Sequence, residues 1–264
     1  MILKAKHKAL VFDSGVGGLS VVRELRRLMP DIYLSYVADD GFRPYGNKTE
    51  AALKARLPGL IQTLVFATQP DIVVIACNTA STTALAEIRA AVKLPVIGVV
   101  PAIKPAALSS SRKAIAVLGT PGTVKRKYVG KLIRDFAANC QIVLHGSTGL
   151  VDMAERKLAG LPIDLEALRA EIQPLFAGVR IDTVVLACTH FPLLLDELKS
   201  VAPYDVSWVD SGSAIAKRAQ SILGDVRPGI IPDWPQTALL VGGQDDETRA
   251  EMFAAFGFAK TVSL

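Results

Sequence analysis

The sequence predicts an α/β protein of two pseudo-symmetric lobes, each a mostly parallel sheet flanked by helices. Three observations predict it. Short β-branched runs alternate with longer helical patterns along the chain, as βαβ units require. One stretch recurs: Asp71-Ile-Val-Val-Ile-Ala-Cys77-Asn78-Thr79 reads like Asp182-Thr-Val-Val-Leu-Ala-Cys188-Thr189-His190. And 264 residues are more than one typical domain and fewer than three.

The strands read as Ala9 to Phe12, Ile32 to Val37, Ile72 to Ala76, Val96 to Val99, Ala114 to Leu118, Ile142 to Leu144, Thr183 to Ala187, Val206 to Val209 and Ala238 to Val241. Helical patterns lie between them, over Leu19 to Leu28, Ser81 to Val92 and Leu165 to Phe176. A longer one spans Thr49 to Phe66, but Pro58-Gly59 falls inside it. Proline costs ~3 kcal/mol in a helix interior, which predicts a kink or a break there. Phe12-Asp13-Ser14-Gly15 has an echo in Val209-Asp210-Ser211-Gly212. The expected lobes are residues 1–100 with 210–264, and residues 101–209, with crossings near Pro101 to Pro105 and near Val209.

Half the residues are apolar, yet every apolar run is interrupted far short of the ~20 residues that span a bilayer. The N-terminus, Met1 to Lys8, is basic, but the apolar stretch after it ends at Asp13, too short for a signal peptide. These features predict a cytoplasmic protein without a membrane segment. A net charge of +5 invites a nucleic-acid reading. The distribution argues against one: Arg23, Arg26 and Arg27, and Lys125, Arg126 and Lys127, interleave with apolar positions at helical spacing and read as solvated faces. Attraction for small anions is the milder consequence. Three cysteines without a CxxC pair suggest reduced thiols, neither a disulfide framework nor a zinc ribbon. His7, His145 and His190 are scattered, so no metal cluster is expected. Gly15-Val-Gly17-Gly18 follows a strand, but a dinucleotide fingerprint needs Gly where Ser20 stands. No GK[ST] follows either.

Free cysteine often acts as a small buried hydrophobe, and for Cys140 that reading is preferred. Cys77 and Cys188 differ. Each ends a β-branched run and is followed by polar residues expected to open a helix. A helix N-terminus favours thiolate and binds carboxylates, so one geometry both activates a base and holds an anionic substrate. Racemisation at an α-carbon needs a proton removed from one face and another delivered to the opposite face. Two acid/base groups are the minimal equipment. Without a cofactor to stabilise the carbanion, placement and water exclusion contribute most of the rate.

The segments Val11-Phe-Asp-Ser-Gly-Val-Gly-Gly-Leu-Ser20, Pro44-Tyr45-Gly46, Ala76-Cys-Asn-Thr-Ala-Ser81 and Ala187-Cys-Thr-His190 resemble the signature motifs of the glutamate racemases, within the aspartate/glutamate racemase family, in the same order. The resemblance covers nearly the whole chain. It implies a cofactor-independent racemase with Cys77 and Cys188 as the acid/base pair. It also implies that Asp13 assists the first thiol, His190 the second, and Glu155 that second side. Asp13, Ser14, Pro44, Tyr45, Gly46, Asn78, Thr79, Thr120, Thr123, Thr189 and His190 are implied to line the glutamate site, and Asp39 also matches a family acid. It further implies a homodimer that supplies D-glutamate for the bacterial cell wall. Plainer readings stand beside these. Asp13 is also a natural helix cap, His190 a satisfied structural histidine, Thr120 and Thr123 a helix start with proline at its first position, and Tyr45 a turn residue. Competing functions are a sister racemase acting on aspartate, a non-enzymatic binding or regulatory protein, and a thiol redox protein.

Overall fold

The computed structural model describes residues 7–225 and 235–264; residues 1–6 of the basic N-terminal stretch lie outside them. No helix among the described residues is long and apolar enough to cross a membrane. The chain forms two compact units, Met1–Val99 with Gly212–Leu264, and Val100–Ser211.

The first unit begins β1 (Lys8–Asp13), α1 (Leu19–Leu28), β2 (Tyr33–Ala38), α2 (Glu50–Thr68), β3 (Ile72–Ile75), α3 (Asn78–Ala91), β4 (Val96–Gly98). The second runs α4 (Ile103–Ser109), β5 (Ala114–Gly119), α5 (Pro121–Val124), α6 (Lys127–Phe136), β6 (Gln141–Gly146), α7 (Gly149–Leu158), α8 (Leu165–Phe176), β7 (Thr183–Ala187), α9 (Leu195–Val201), β8 (Ser207–Val209). The chain then completes the first unit with α10 (Gly212–Gly224), β9 (Thr237–Leu240), α11 (Glu247–Ala255) and β10 (Lys260–Ser263).

Strand order is β10-β9-β2-β1-β3-β4 in one sheet and β6-β5-β7-β8 in the other. Every pairing is parallel. The predicted α/β class with two parallel sheets is what the chain adopts. Taken from the first strand of each unit, both sheets share the order second, first, third, fourth. The repeated sequence stretch is therefore the third strand of each. β3 and β7 lie inside their sheets and are buried along their whole length, which is why both read as unbroken apolar runs.

The aspartate that opens each copy of the repeat has a common task. The Lys8 amide, at the start of β1, donates to Asp71 Oδ2 at 2.7 Å. In the second unit Asp182 accepts from Ser110 Oγ at 2.6 Å, Ser111 Oγ at 3.0 Å and the Arg112 amide at 2.7 Å, just before β5. Each carboxylate ties the entry of the third strand to that of the first and so sets their register. Partial burial works to raise the Asp182 carboxyl. The hydrogen bonds from Ser110, the Arg112 amide, Ser111 and Thr183 outweigh it and bring it down to about 2.

Of the kink or break expected at Pro58 no break occurs, and one strand was not expected at all. α2 runs unbroken from Glu50 to Thr68 with Pro58 inside it. Leu53, Leu57, Ile61 and Leu64 are buried on one face on both sides of the proline, and that shared burial holds the helix together across the missing hydrogen bond. The unexpected strand is β10, which no pattern announced. It is four residues long, half-exposed, and exists through its parallel pairing with β9.

Asp182→Asn keeps the shape and removes the charge that four donors address, so it should cost about 1.5–3 kcal/mol at pH 7. Because the folded carboxyl titrates below its ordinary 3.8, its contribution is complete above about pH 4 and is lost as pH falls toward 2. Urea unfolding of both proteins should show a gap that is full at pH 7 and narrows between pH 4 and pH 3. A gap unchanged by acid would show that the charge is not what stabilises this junction.

Candidate active site

Three neighbouring strands of the first unit end together. The Ala76 amide donates to the Phe12 carbonyl at 2.7 Å and the Asp39 amide to the Asp13 carbonyl at 3.0 Å, so Asp13, Asp39 and Cys77 emerge from one sheet edge. Asp13 is fully buried. Its Oδ1 accepts from the Ser14 amide at 2.6 Å and from Ser14 Oγ at 3.2 Å, and Ser14 Oγ lies 3.6 Å from Cys77 Sγ. Asp13, Ser14 and the thiol thus form a continuous polar chain. The N-cap of α1 is Gly18, so capping does not explain Asp13.

Cys77 is itself the N-cap of α3, which starts at Asn78, ahead of the Ser81 start that the pattern suggested. Ser81 is interior because its hydroxyl donates to the Ile75 carbonyl at 3.1 Å and accepts from the Val99 amide at 3.0 Å, joining α3 to the strand ends. The thiol sits where the first amides of a 14-residue helix have no intrahelical acceptor. Asn78 and Thr79 are buried, and Asn78 Oδ1 has no hydrogen-bond partner among the described residues.

Pro44, Tyr45 and Gly46 fall on the loop after β2, where Tyr45–Asn47 forms a short 3-10 helix behind a cis Arg43-Pro44 bond. Pro44 is exposed and Gly46 half-buried. Tyr45 is more than a turn residue: its ring is buried, and its hydroxyl donates to Asp39 Oδ2 at 2.6 Å.

In the second unit Cys188 follows β7. Its Sγ lies 3.7 Å from His190 Nδ1, and His190 Nε2 lies 3.4 Å from Glu155 Oε1 on α7. Cys188, Thr189 and His190 are all buried. A thiol, an imidazole and a carboxylate therefore stand in line. The helix expected directly after Cys188 is absent. The chain turns, with the Phe191 amide donating to the Cys188 carbonyl at 3.2 Å, then makes a 3-10 helix over Phe191–Leu194 before α9. Pro192 and the buried run Phe191 to Leu194 favour that tighter, core-filling turn. Thr120 is the N-cap of α5, its Oγ1 accepting from the Thr123 amide at 3.2 Å, so the plain helix-start reading describes its local geometry. Cys140 is half-buried beside β6, against the core of its unit.

Sequence reasoning missed two cations. Arg56 on α2 pairs with Asp39, and Lys157 on α7 donates to the Leu193 carbonyl at 2.9 Å and to Glu197 at 2.8 Å. Lys157 thereby ties the helix that carries Glu155 to the turn that carries His190. A sequence has no signal for either, since both look like ordinary helix-surface cations.

The family model for Asp/Glu/Hydantoin racemases matches residues 20–219. The chain belongs to the aspartate/glutamate racemase family. It is 52% identical over 217 residues to a glutamate racemase of Vibrio cholerae, covering 82% of this chain and 81% of the relative. To one of Agrobacterium fabrum it is 44% identical over 254 residues, covering 95% and 93%. Among solved structures it resembles Escherichia coli glutamate racemase, in complex with L-glutamate and the activator UDP-MurNAc-Ala, with a TM-score of 0.93, 41% identity and 98% of both chains covered. As a family member the chain is an amino-acid racemase, and its two thiols have unlike neighbours. One has a helix start and a carboxylate chained through Ser14; the other has an imidazole backed by a carboxylate.

Gly18 fixes the first of these arrangements. A Cβ there would lie 3.0 Å from Asp13 Cβ and Oδ2 and 2.9 Å from Tyr36 Oη, and both neighbours are fully buried. Gly18→Ala should destabilise by about 1–3 kcal/mol. By displacing Asp13 it should also lower racemase turnover roughly tenfold or more. Gly59→Ala, where a Cβ meets nothing within 4 Å, is the control and should gain about 0.5–1 kcal/mol. Full turnover in a stably folded Gly18→Ala protein would detach Asp13 from the chemistry.

Proposed function

We propose that this chain is a cofactor-independent glutamate racemase, interconverting L- and D-glutamate with Cys77 and Cys188 as its acid/base pair. The observation that carries the substrate is 44% identity to a glutamate racemase sustained over 95% of the chain. The chemistry is supported by two buried thiols, each at the end of the third strand of its own sheet and each beside a carboxylate-containing polar chain.

One thiol, as thiolate, takes the α-proton from one face of glutamate while the other delivers a proton to the opposite face. On the first side the start of α3 favours the thiolate and Asp13 acts through Ser14. On the second, His190 exchanges a proton with Cys188, and Glu155 stabilises the imidazolium that forms. Asn78 and Thr79, with Thr189, bind the substrate's charged groups. The buried Asn78 Oδ1 is an acceptor suited to its ammonium group. Ser14, Pro44, Tyr45, Gly46, Thr120 and Thr123 complete the site by the same resemblance. The protein acts in the cytoplasm as a homodimer and makes D-glutamate for peptidoglycan.

Circular dichroism of L-glutamate incubated with the protein, without pyridoxal phosphate, should decay to zero, while L-aspartate keeps its signal. Asn78→Ala and Thr189→Ala should each weaken glutamate use by about 1.5–3 kcal/mol, the worth of a hydrogen bond to a charged group. Loss of the aspartate signal, with glutamate unchanged, would move the assignment to the sister activity.

A further inference from the structure

Asp39 stands at the same sheet edge as Asp13 and Cys77, yet its surroundings give it a different task. It is fully buried, and a buried carboxylate is stable only when paired and hydrogen-bonded. Arg56 grips it with two bonds, Nε to Oδ2 at 2.7 Å and Nη2 to Oδ1 at 2.6 Å. Tyr45 Oη adds a third at 2.6 Å. Both oxygens are engaged by protein donors, which suits an anchor better than a proton carrier.

A fourth side chain, Phe42, closes the group. The Arg56 guanidinium lies over the Phe42 ring at 4.8 Å, and the Phe42 ring meets Tyr45 edge-on at 6.1 Å. Tyr45 belongs to the apolar cluster that contains Cys77 and Ala80, with Phe42 packed against it. Burial, first, and then the Asp39 charge and hydrogen bond push the Tyr45 phenol far above its ordinary value. A negative Cys77 pushes it the same way, so the two side chains are electrostatic neighbours. Tyr45 therefore stays a protonated donor, committed to Asp39.

We propose that Arg56 is a positioning residue for Cys77: through Asp39 it fixes Tyr45 in the wall beside the thiol and keeps the Tyr45–Asn47 segment in place. This rests on Cys77 being a reacting thiol of the proposed racemase.

The test follows the alkylation of all three cysteines by iodoacetamide in the full chain at one pH, each read by peptide mass spectrometry. In Arg56→Gln the labelling rate of Cys77 should rise roughly tenfold through local opening, with Cys140 and Cys188 unchanged. Arg56→Lys, which keeps the charge but not the fork, should recover part of the protection. Tyr45→Phe, which removes only the hydroxyl bond and keeps the ring, should raise Cys77 labelling less and serves where Arg56→Gln does not fold. In glutamate turnover Arg56→Gln and, to a lesser extent, Arg56→Lys should lose kcat with KM within about twofold, as misplacement of a reacting group predicts. Unchanged Cys77 labelling in the folded variants, or all three thiols rising together, would overturn the proposal. A wild-type protein inactive on glutamate would instead overturn the proposed function, and the labelling comparison would still decide the role of Arg56.

Discussion

The placement of Asp13, Asp39 and Cys77 beside one another depends on parallel strand register. In a parallel sheet all carboxyl ends lie on one edge, so residues distant in sequence arrive side by side without any loop being built for the purpose. Asp13 ends β1, Asp39 and Cys77 follow β2 and β3, and the backbone bonds Ala76 to Phe12 and Asp39 to Asp13 align them. A slip of one residue would turn each side chain to the other face of its strand. Asp71 and Asp182 guard against this by joining the entry of the third strand to that of the first in each unit.

Equivalent places in the two sheets carry unlike chemistry. Cys77 caps a full α-helix, so the backbone supplies positive potential, and the Asp13 carboxylate lies beyond Ser14 in the same polar chain. Cys188 is followed by a turn and a 3-10 helix, and its polar company is an imidazole and a carboxylate from side chains. A helix terminus is a fixed partial charge, whereas an imidazole gains and loses a proton near neutrality. The two thiols therefore stand in electrostatically different surroundings.

Much of this was legible in the sequence. α1 and α8 match their apolar patterns residue for residue, and β7 coincides with its β-branched run. The two cysteines were visible because they end the two apolar strand runs that recur. What escaped was non-local. β10 is held by β9, α2 survives Pro58 because its buried face continues past it, and the turn after Cys188 follows from burial of Phe191 to Leu194. Arg56 looked like any helix arginine, since only the fold brings it to Asp39. Local propensity sets the elements, while the partners of buried charges are a property of the packed chain.

If two thiols share the proton transfer, as proposed, the fate of the α-hydrogen records it. Protiated L-glutamate would be converted in deuterium oxide and both enantiomers analysed at low conversion. Two thiols predict D-glutamate carrying deuterium at the α-carbon, because the donating thiol has already equilibrated with solvent, while unreacted L-glutamate stays protiated. Early D-glutamate retaining much of the substrate's own hydrogen would mean that one group serves both faces and that the two thiols do not divide the transfer.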